Sequence, residues 1–355
     1  MKTLVLNAGS SSLKVAIFEG ESCLRRTTIA EVTDQATALG KALGSVERPD
    51  AVGHRLVHGG PEHAEPVRID PALRKSLGDL VRFAPLHLPA ELAFLDAVEA
   101  RWPGIPQVAC FDTGFHRTMP ELARRLPLPR DLFDAGVRRY GFHGLSYEFV
   151  VETLGPASTL RGAAIIAHLG SGSSMVALRD GRPIDTTMGL SPSGGMMMGT
   201  RTGDLDPGVL IHLLDHQVAG ARELEALVNQ RSGLRGVSGT TSDVKKLLAE
   251  GPVNPYARQA IEMFCYSARK SIGALTAALG GLDTLVFTGG VGEHSPVIRK
   301  QICNELGYLG IRLHRARNTL GEPTISEDGS GCRVLLVPTD EERMIARHVA
   351  RLVSA

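Results

Sequence analysis

Residues 4–20, LVLNAGSSSLKVAIFEG, lie without a gap over residues 165–181, IIAHLGSGSSMVALRDG. Six positions coincide: Gly9 with Gly170, Ser10 with Ser171, Ser12 with Ser173, Val15 with Val176, Ala16 with Ala177 and Gly20 with Gly181. Each stretch reads as an apolar strand, a Gly/Ser turn, a second strand and an acid–glycine turn. Unrelated hairpins share an apolar pattern easily, but here the polar turn is shared with it. The repeat predicts a duplicated chain of two related domains, each offering a Gly/Ser turn at the end of a strand.

The rest of the chain fits that plan. Apolar runs at 3–6, 106–111, 163–168, 283–288 and 333–337 have the length of buried strands. Between them the spacing is helical. Residues 255–280 carry apolar side chains near every third or fourth position, open on Pro255 and run into Gly280–Gly281, which predicts one long helix. DEERMIARHVARLV near the C-terminus is helical as well, with acids first and arginines later. Strands alternating with helices make an α/β protein. No flexible linker is evident, so a domain boundary falls in a tight connection near 144–160. With 355 residues there is chain enough for two cores.

Lys and Arg number 39 against 38 Asp and Glu, giving a net charge of +1, so no strong field calls for nucleic acid or a membrane. The five cysteines, Cys23, Cys110, Cys265, Cys303 and Cys332, are scattered and lack a C-x-x-C pair, which argues for free thiols in a reducing cytosol. TLVL is too short for a signal-peptide core, and no uncharged apolar run reaches a membrane span. A cytoplasmic protein is expected.

A Gly/Ser turn after a strand exposes backbone N–H groups and hydroxyls, a concavity that suits phosphate, and Lys14 adds a cation. A plain hairpin turn is the alternative for any one of them. The familiar phosphate loops are absent: Lys14 follows Leu13 rather than a glycine, and neither Gly170–Gly172 nor Gly290–Gly292 completes G-x-G-x-x-G. A third glycine turn, TGGVGEH at 288–294, follows the strand TLVF and precedes a helix expected from about Pro296, the place where α/β folds hold ligands.

Polar residues crowd further turns: VGHRLVHGG (52–60), APLHLP (84–89), ACFDTGFH (109–116), YGFHG (140–144), AHLGSG (167–172), MGTRTGDLDPG (198–208) and PTDEE (338–342). Six of the twelve histidines sit in these stretches, more than an all-structural account accommodates comfortably. Two histidine pairs have H-x-x-x-H spacing, His54/His58 and His212/His216, but neither carries the glutamate of H-E-x-x-H, so a zinc cage is not expected.

In this order, NAGSSSLK, GHRLVHGG, APLH, FDTGFH, YGFHG, HLGSGSS, GTRTGDLDPG, FTGGVGEH and PTDEE resemble the acetate kinase family over nearly the whole chain. The resemblance implies two duplicated ribonuclease-H-like α/β domains of the actin-like ATPase type, with ATP in the cleft between them. The first would comprise residues 1–144 with the C-terminal helix 341–355, and the second, nucleotide-binding domain residues 145–340. It implies reversible transfer of the γ-phosphoryl group of ATP to acetate, and to propionate, with Mg²⁺ or in its place Mn²⁺, by a cytoplasmic homodimer.

The same resemblance carries residue roles. Mg²⁺ falls to Asn7 and Glu341, the acceptor carboxylate to Arg55, and transition-state charge to His143 and Arg201. Asp112 matches the active-site aspartate. A carboxylate acceptor is already ionised near pH 7, so Asp112 is expected to orient an arginine or a Mg²⁺-bound water and not to abstract a proton. Nucleotide phosphates fall to Ser10, Ser12 and Lys14 and to His168, Leu169, Gly170, Ser171 and Gly172. The adenosine falls to Asp243, Val244 and Lys245 and to Gly290, Val291, Gly292, Glu293 and His294. The acyl pocket resembles the family's at Val57, Leu86, Phe142 and Pro192, with His87 beside it. An apolar pocket separates acceptors that differ by one methylene by only about 1–3 kcal/mol.

Three departures from the family pattern stand out. Residues 20–50 are compressed, Ser193–Gly194 replace a more usual Leu-Glu, and Lys245 and His294 stand where Arg and Asn are common. Two other readings share the fold: an ATP-switched binding protein of the Hsp70 or actin kind, and a butyrate-preferring kinase. The first has no use for Arg55, Asp112, His143 and Arg201 together, and the second needs a deeper pocket than Phe142 and Leu86 suggest.

Overall fold

The computed structural model describes residues 1–9, 12–30, 40, 43–44, 46–85, 87–155 and 160–354, without the side chains of Ser12 and Ala30. Two compact units emerge. Unit 1 is Met1–Arg117, Phe142–Phe149 and Asp340–Ala355, and unit 2 is Thr118–Gly141 with Val150–Thr339.

Unit 1 is built on a six-stranded sheet. Strands β1 (Lys2–Ala8), β2 (Ser12–Glu19) and β3 (Ser22–Ala30) form an antiparallel meander. Strand β4 (Ala51–Leu56) joins β1 in parallel, β6 (Gln107–Phe111) joins β4 in parallel, and the two-residue β5 (Val67–Arg68) closes the edge. The order is β3-β2-β1-β4-β6-β5. Both faces of β1 are buried, which is why it reads as an unbroken apolar run. Leu4, Leu6 and Ala8 pack with Phe94, Val98 and Trp102, and helix α1 (Leu88–Arg101) supplies the first two of these. Val5 packs on the other side with Met344, Ile345 and Val349 of the last helix.

Unit 2 repeats the plan. Strands β7 (Ala163–Leu169), β8 (Ser173–Arg179) and β9 (Arg182–Thr186) form a meander. Strands β10 (Thr284–Thr288) and β11 (Arg333–Leu336) extend it in parallel from β7, in the order β11-β10-β7-β8-β9. The duplication predicted from the repeat is present. Its gapless alignment is not: Ala8 pairs with Leu13, five residues on, whereas Leu169 pairs with Ser173, four residues on. The second strands are therefore offset by 160 and not 161. Two further features agree with that shift. A bulge falls between Ile17 and Phe18 and again between Ala177 and Leu178, and Gly20 matches Asp180, both at positive φ. The identities at Val176, Ala177 and Gly181 are coincidental.

Helix α2 (Gly144–Leu154) carries the chain from unit 1 into unit 2. Helix α3 (Val244–Glu250) is followed by the long helix α4 (Pro255–Leu279). The Asn254 side chain caps α4 by accepting from the N–H groups of Tyr256 and Ala257, and Gly280 ends it in a left-handed conformation. The stretch after β10 differs from expectation: Gly289–His294 is itself a short helix, α5, ahead of α6 (Pro296–Cys303). Gly289 makes the turn alone at φ 76°, where a Cβ would meet the Leu169 backbone at 2.8–3.1 Å.

Residues 118–141, expected in the first domain, belong to unit 2. The Tyr140 N–H donates to the Gly189 carbonyl at 3.0 Å, and the Arg139 guanidinium donates to the Thr186 carbonyl at 2.9 Å. These bonds fix the segment to the end of β9 and the loop after it. Helix α7 (Glu341–Val353) returns to unit 1, where it covers β1 and β4. A Cβ at Gly53 would fall 2.5 Å from Ile345 Cγ2 and 2.7 Å from Val349 Cγ2, so glycine there lets α7 lie close on β4.

Candidate active site

In unit 1 the candidates collect at the C-terminal edge of the parallel strands. Asn7 is the next-to-last residue of β1, Arg55 the next-to-last of β4, and Asp112 the first beyond β6. Arg55 pairs in register with Cys110, and its neighbour His54 with Leu6. Polar residues of three adjacent strands thus end side by side, where α/β sheets place their ligands.

Arg55 is the centre of the cluster. Its Nε donates to Asp112 Oδ2 at 3.0 Å, Nη2 donates to the same oxygen, and Nη1 donates to the Ala8 carbonyl. Nη1 also lies 3.6 Å from Glu91 Oε1. Three of its five N–H donors are engaged this way. Burial disfavours its charge, but Asp112, Glu91 and Glu341 outweigh that and hold the guanidinium firmly ionised. Burial pushes the Asp112 carboxyl up, against the pull of Arg55, with the charge of Glu341 adding to the rise and a hydrogen bond from the His143 backbone opposing it.

The YGFHG turn holds His143 in place. His143 has φ 60°, a left-handed conformation that only a few non-glycine residues adopt. Gly144 donates its N–H to the Asp112 carbonyl at 2.8 Å, and a Cβ on it would fall 2.2 Å from that oxygen. Side-chain-free backbone at 144 is what allows the two segments to meet. Phe142 and Val57 are fully buried, and Phe142 lies edge-on to the His58 ring at 5.5 Å. His87 occupies the N-cap position of α1 without capping it through its side chain. Ser10, Leu86 and the Ser12 side chain lie outside the described residues.

At the start of α7, Asn7 Nδ2 donates to Glu341 Oε2 at 2.9 Å and to Glu342 Oε1 at 2.6 Å. Lys14, directly opposite Asn7 on β2, brings its ammonium within 3.7 Å of Glu342 Oε1. An amide oxygen and carboxylates are hard donors that suit Mg²⁺, which takes few protein ligands and keeps waters and phosphate oxygens. In the arrangement described, the Asn7 nitrogen faces Glu341. Turning the amide over exchanges N for O without changing its shape and would aim its oxygen at the same point.

Unit 2 presents a second group at the corresponding edge of its own sheet. His168 and Leu169 end β7, and Gly170–Gly172 turn into β8. The Gly170 N–H stays within the turn, donating to the Gly172 carbonyl at 3.0 Å. Among the described residues, the N–H groups of Ser171 and Gly172 have no protein acceptor. Helix α5 packs on the end of β7 through Gly289 and Gly292. Arg201 is buried, and its Nη1 donates to the Pro192 carbonyl at 3.0 Å, so the expected transition-state cation and one pocket residue meet.

The remaining nucleotide-side candidates have structural tasks. The Asp243 carboxylate caps α3 by accepting from the Lys245 N–H at 2.8 Å, Val244 packs in the core, and Lys245 is exposed. Glu293 Oε1 accepts from the N–H groups of Gly289 at 2.9 Å and Thr339 at 3.0 Å, tying α5 to the residues that precede α7. Gly290 and His294 are exposed and Val291 is half-buried.

Three residues escaped the sequence. Glu91 is buried, and its Oε2 accepts the Val57 N–H at 2.9 Å. Burial raises its carboxyl to about 7, against the pull of Arg55 and the Val57 N–H. Glu342 shares Asn7 with Glu341. Arg299 of α6 is fully buried, with no acidic partner among the described residues. Its Nη1 donates to the carbonyls of Gly292 at 2.7 Å and Glu293 at 2.8 Å, closing the C-terminal end of α5. Glu91 and Arg299 each sit at helical spacing from buried apolar residues, Glu91 between Leu88 and Leu95 and Arg299 between Ile298 and Ile302, which is the signal that marks them.

Comparison with known proteins gives a consistent result. The family model described as the Acetokinase family matches residues 26–347. The acetate kinase of Rhodopseudomonas palustris (strain ATCC BAA-98 / CGA009) is 42% identical, over 98% of this chain and 98% of its own length. That alignment runs over 390 positions, so the relative is longer than these 355 residues. Among solved structures, Porphyromonas gingivalis acetate kinase superposes with a TM-score of 0.86 at 37% identity, covering 99% of both chains. A propionate kinase from Francisella tularensis superposes at 0.87 with 32% identity and the same coverage.

Proposed function

Because the chain belongs to the acetokinase family, we propose that it transfers the γ-phosphoryl group of ATP to acetate, giving acetyl phosphate and ADP, and catalyses the reverse. Propionate is proposed as a second acceptor. The observation that carries this reading is the half-buried Arg55, fixed by Asp112 and the Ala8 carbonyl with two N–H donors left over. A guanidinium held in this way recognises a small carboxylate through paired hydrogen bonds.

The acceptor needs no general base, since a carboxylate arrives ionised. Asp112 is accordingly assigned to positioning: it holds Arg55 through one oxygen, and its carbonyl receives Gly144. Val57 and Phe142 supply apolar surface for a short acyl chain. His143 and Arg201 are assigned to the transferring group, whose equatorial oxygens carry charge that fixed donors neutralise. The turn His168–Gly172, with the unengaged N–H groups of Ser171 and Gly172, is assigned to the nucleotide phosphates, as is Lys14. Asn7 and Glu341 are assigned to Mg²⁺, which, when bound, offsets phosphate charge and draws the polyanion and the incoming anion together.

Two further parts of the proposal rest on other features. Homodimerisation through unit 2 is supported by the helix Pro207–His216, which buries none of its side chains and exposes Val209, Ile211 and Leu214. An exposed stripe of Tyr256, Met263 and Tyr266 along α4 supports it as well. A cytoplasmic location is supported by five cysteines that are all free. No described helix is long and apolar enough to cross a membrane.

The test offers Mg-ATP with acetate, propionate, butyrate or glycerol in turn, following ADP release and trapping acyl phosphate with hydroxylamine. Hydroxamate from acetate is expected, with propionate close behind. ADP release with glycerol and no hydroxamate from any carboxylate would overturn the reading.

A further inference from the structure

We propose that the acceptor carboxylate binds together with one proton, and that Glu91 holds that proton. This deepens the acetate kinase reading and rests on it. Arg55 contacts two carboxylates within unit 1, Asp112 through two hydrogen bonds and Glu91 Oε1 at 3.6 Å, and also feels the charge of Glu341, here assigned to Mg²⁺. With both ionised, the group carries a net negative charge before any substrate arrives. An incoming acetate would be a third carboxylate on one guanidinium, all of it largely removed from water, where charge repulsion is weakly screened. Neutralising one resident carboxylate removes the conflict.

The geometry picks out Glu91 for that role. Asp112 Oδ2 takes two charge-assisted bonds from Arg55, so neutralising Asp112 would weaken the fork that orients the guanidinium. Glu91 makes no hydrogen bond to Arg55. Its Oε2 accepts the Val57 N–H, and Oε1 is buried with no hydrogen-bond partner among the described residues. A proton on Oε1 leaves the Val57 bond intact and turns a repelling oxygen into a donor. The charged groups facing Glu91 are Arg55 from β4 and Asp112 from the end of β6, while the turn after β4 contributes only the Val57 backbone. Burial is the main reason its proton is held to about 7, within reach of physiological pH.

The reaction is balanced simply: acetate and a solvent proton bind together, the glutamate carboxylate becomes a carboxylic acid, and no bond to acetate changes. Glu91 is therefore a positioning residue for acceptor affinity and takes no part in the transfer itself.

The test is the acetate KM at saturating Mg-ATP and constant ionic strength, measured at pH 6.5, 7.5 and 8.5 by hydroxamate formation. Acetate stays ionised throughout, so the ligand contributes no slope. The wild-type KM is expected to rise by at least about fourfold across that range, with most of the effect in KM and little in kcat. In Glu91→Gln, which keeps an oxygen for the Val57 N–H and cannot ionise, the rise should disappear. A flat wild-type KM overturns the proposal, as does a rise that survives in Glu91→Gln. Should that variant not fold, acetate-binding calorimetry on the wild type in two buffers of different ionisation enthalpy decides. Uptake approaching one proton at pH 8 supports the proposal, and none refutes it. Hydroxamate formation with a flat KM sinks this inference alone, whereas no hydroxamate at any pH sinks the kinase reading beneath it.

Discussion

Removing the Asp112 carboxylate should separate positioning from proton transfer. The side chain is 1% exposed and Arg55 is 11% exposed, and the two share a forked contact on Oδ2. Deleting one member of a buried pair costs about 3–5 kcal/mol, because the other charge is left uncompensated. Here Arg55 retains the Ala8 carbonyl and has Glu91 at 3.6 Å, so Asp112→Ala should fall at the lower end, about 3 kcal/mol. Asp112→Asn keeps an oxygen acceptor and loses only the charge, for about 1–2 kcal/mol. Urea denaturation at pH 7.5 measures both. In activity, each variant should raise the acetate KM by about tenfold or more as Arg55 swings toward Glu91, while the KM for Mg-ATP holds steady. Asp112→Asn should keep kcat well above that of Asp112→Ala, since an amide still orients Arg55. Equal and severe loss of kcat in both variants, with stability untouched, would mean Asp112 moves a proton, and the argument from an ionised acceptor would be wrong.

Other expectations can be checked in the same protein. Arg201→Ala should lower kcat by about 10²-fold or more while ATP binding, followed by fluorescence titration, persists, and Arg201→Lys should not restore it. Gly144→Ala should cost both stability and kcat, because its Cβ would fall 2.2 Å from the Asp112 carbonyl oxygen; a melting curve and a rate unchanged from wild type would contradict the close approach. Glu91, raised to about 7 from its ordinary 4.5, keeps its proton in the folded state over a window in which the unfolded chain has lost it. Its contribution to stability is therefore lost as pH rises from about 4.5 to about 7, by up to about 3 kcal/mol. Buried His54 and His116, each held neutral mainly by burial with pKa values of about 4, act with the opposite sign over much of that range. The difference between Glu91→Gln and wild type, and not the wild-type curve alone, should show the effect: the variant gains relative stability from pH 5 to pH 8.

Much of this architecture was legible because it is written locally. Apolar runs of strand length became β1, β6, β7, β10 and β11, and Asn254, Pro255 and Gly280 mark the ends of α4 by their own chemistry. The duplication was visible in two Gly/Ser hairpins, but the one-residue difference between their turns was not. A single residue changes cross-strand register without disturbing the apolar alternation that alignment detects. Residues 289–294 read as a turn because glycines seldom favour helix, yet Gly289 supplies the positive φ and Arg299 secures the far end through carbonyls of Gly292 and Glu293. Thr118–Gly141 was assigned to the wrong neighbour because its anchors, a backbone bond from Tyr140 and the Arg139 guanidinium, end on carbonyls of the β9 region, which leave no mark on composition.

The site divides in the same way. Arg55, Asp112, Asn7 and Glu341 lie in motifs and were named from the sequence, and within unit 1 they come together at one sheet edge. Glu91 lies in no motif. It stands in LPAELAFL at a position that helical spacing assigns to the interior, three residues after Leu88 and four before Leu95. An acid at such a position signals a buried partner, but only tertiary structure identifies that partner as Arg55. Glu342 was overshadowed by its neighbour, since two successive acids opening a helix also satisfy its dipole.

The most direct test of the central claim runs the reaction toward ATP. Purified protein is mixed with acetyl phosphate and Mg-ADP and followed by phosphorus NMR, which resolves acyl phosphate, nucleotide and free phosphate in one spectrum. The account predicts that the acetyl phosphate signal declines in step with a growing γ-phosphate signal of ATP, and that Arg201→Ala slows both together. Acetyl phosphate that persists unchanged beside Mg-ADP, or that yields only inorganic phosphate, would contradict it.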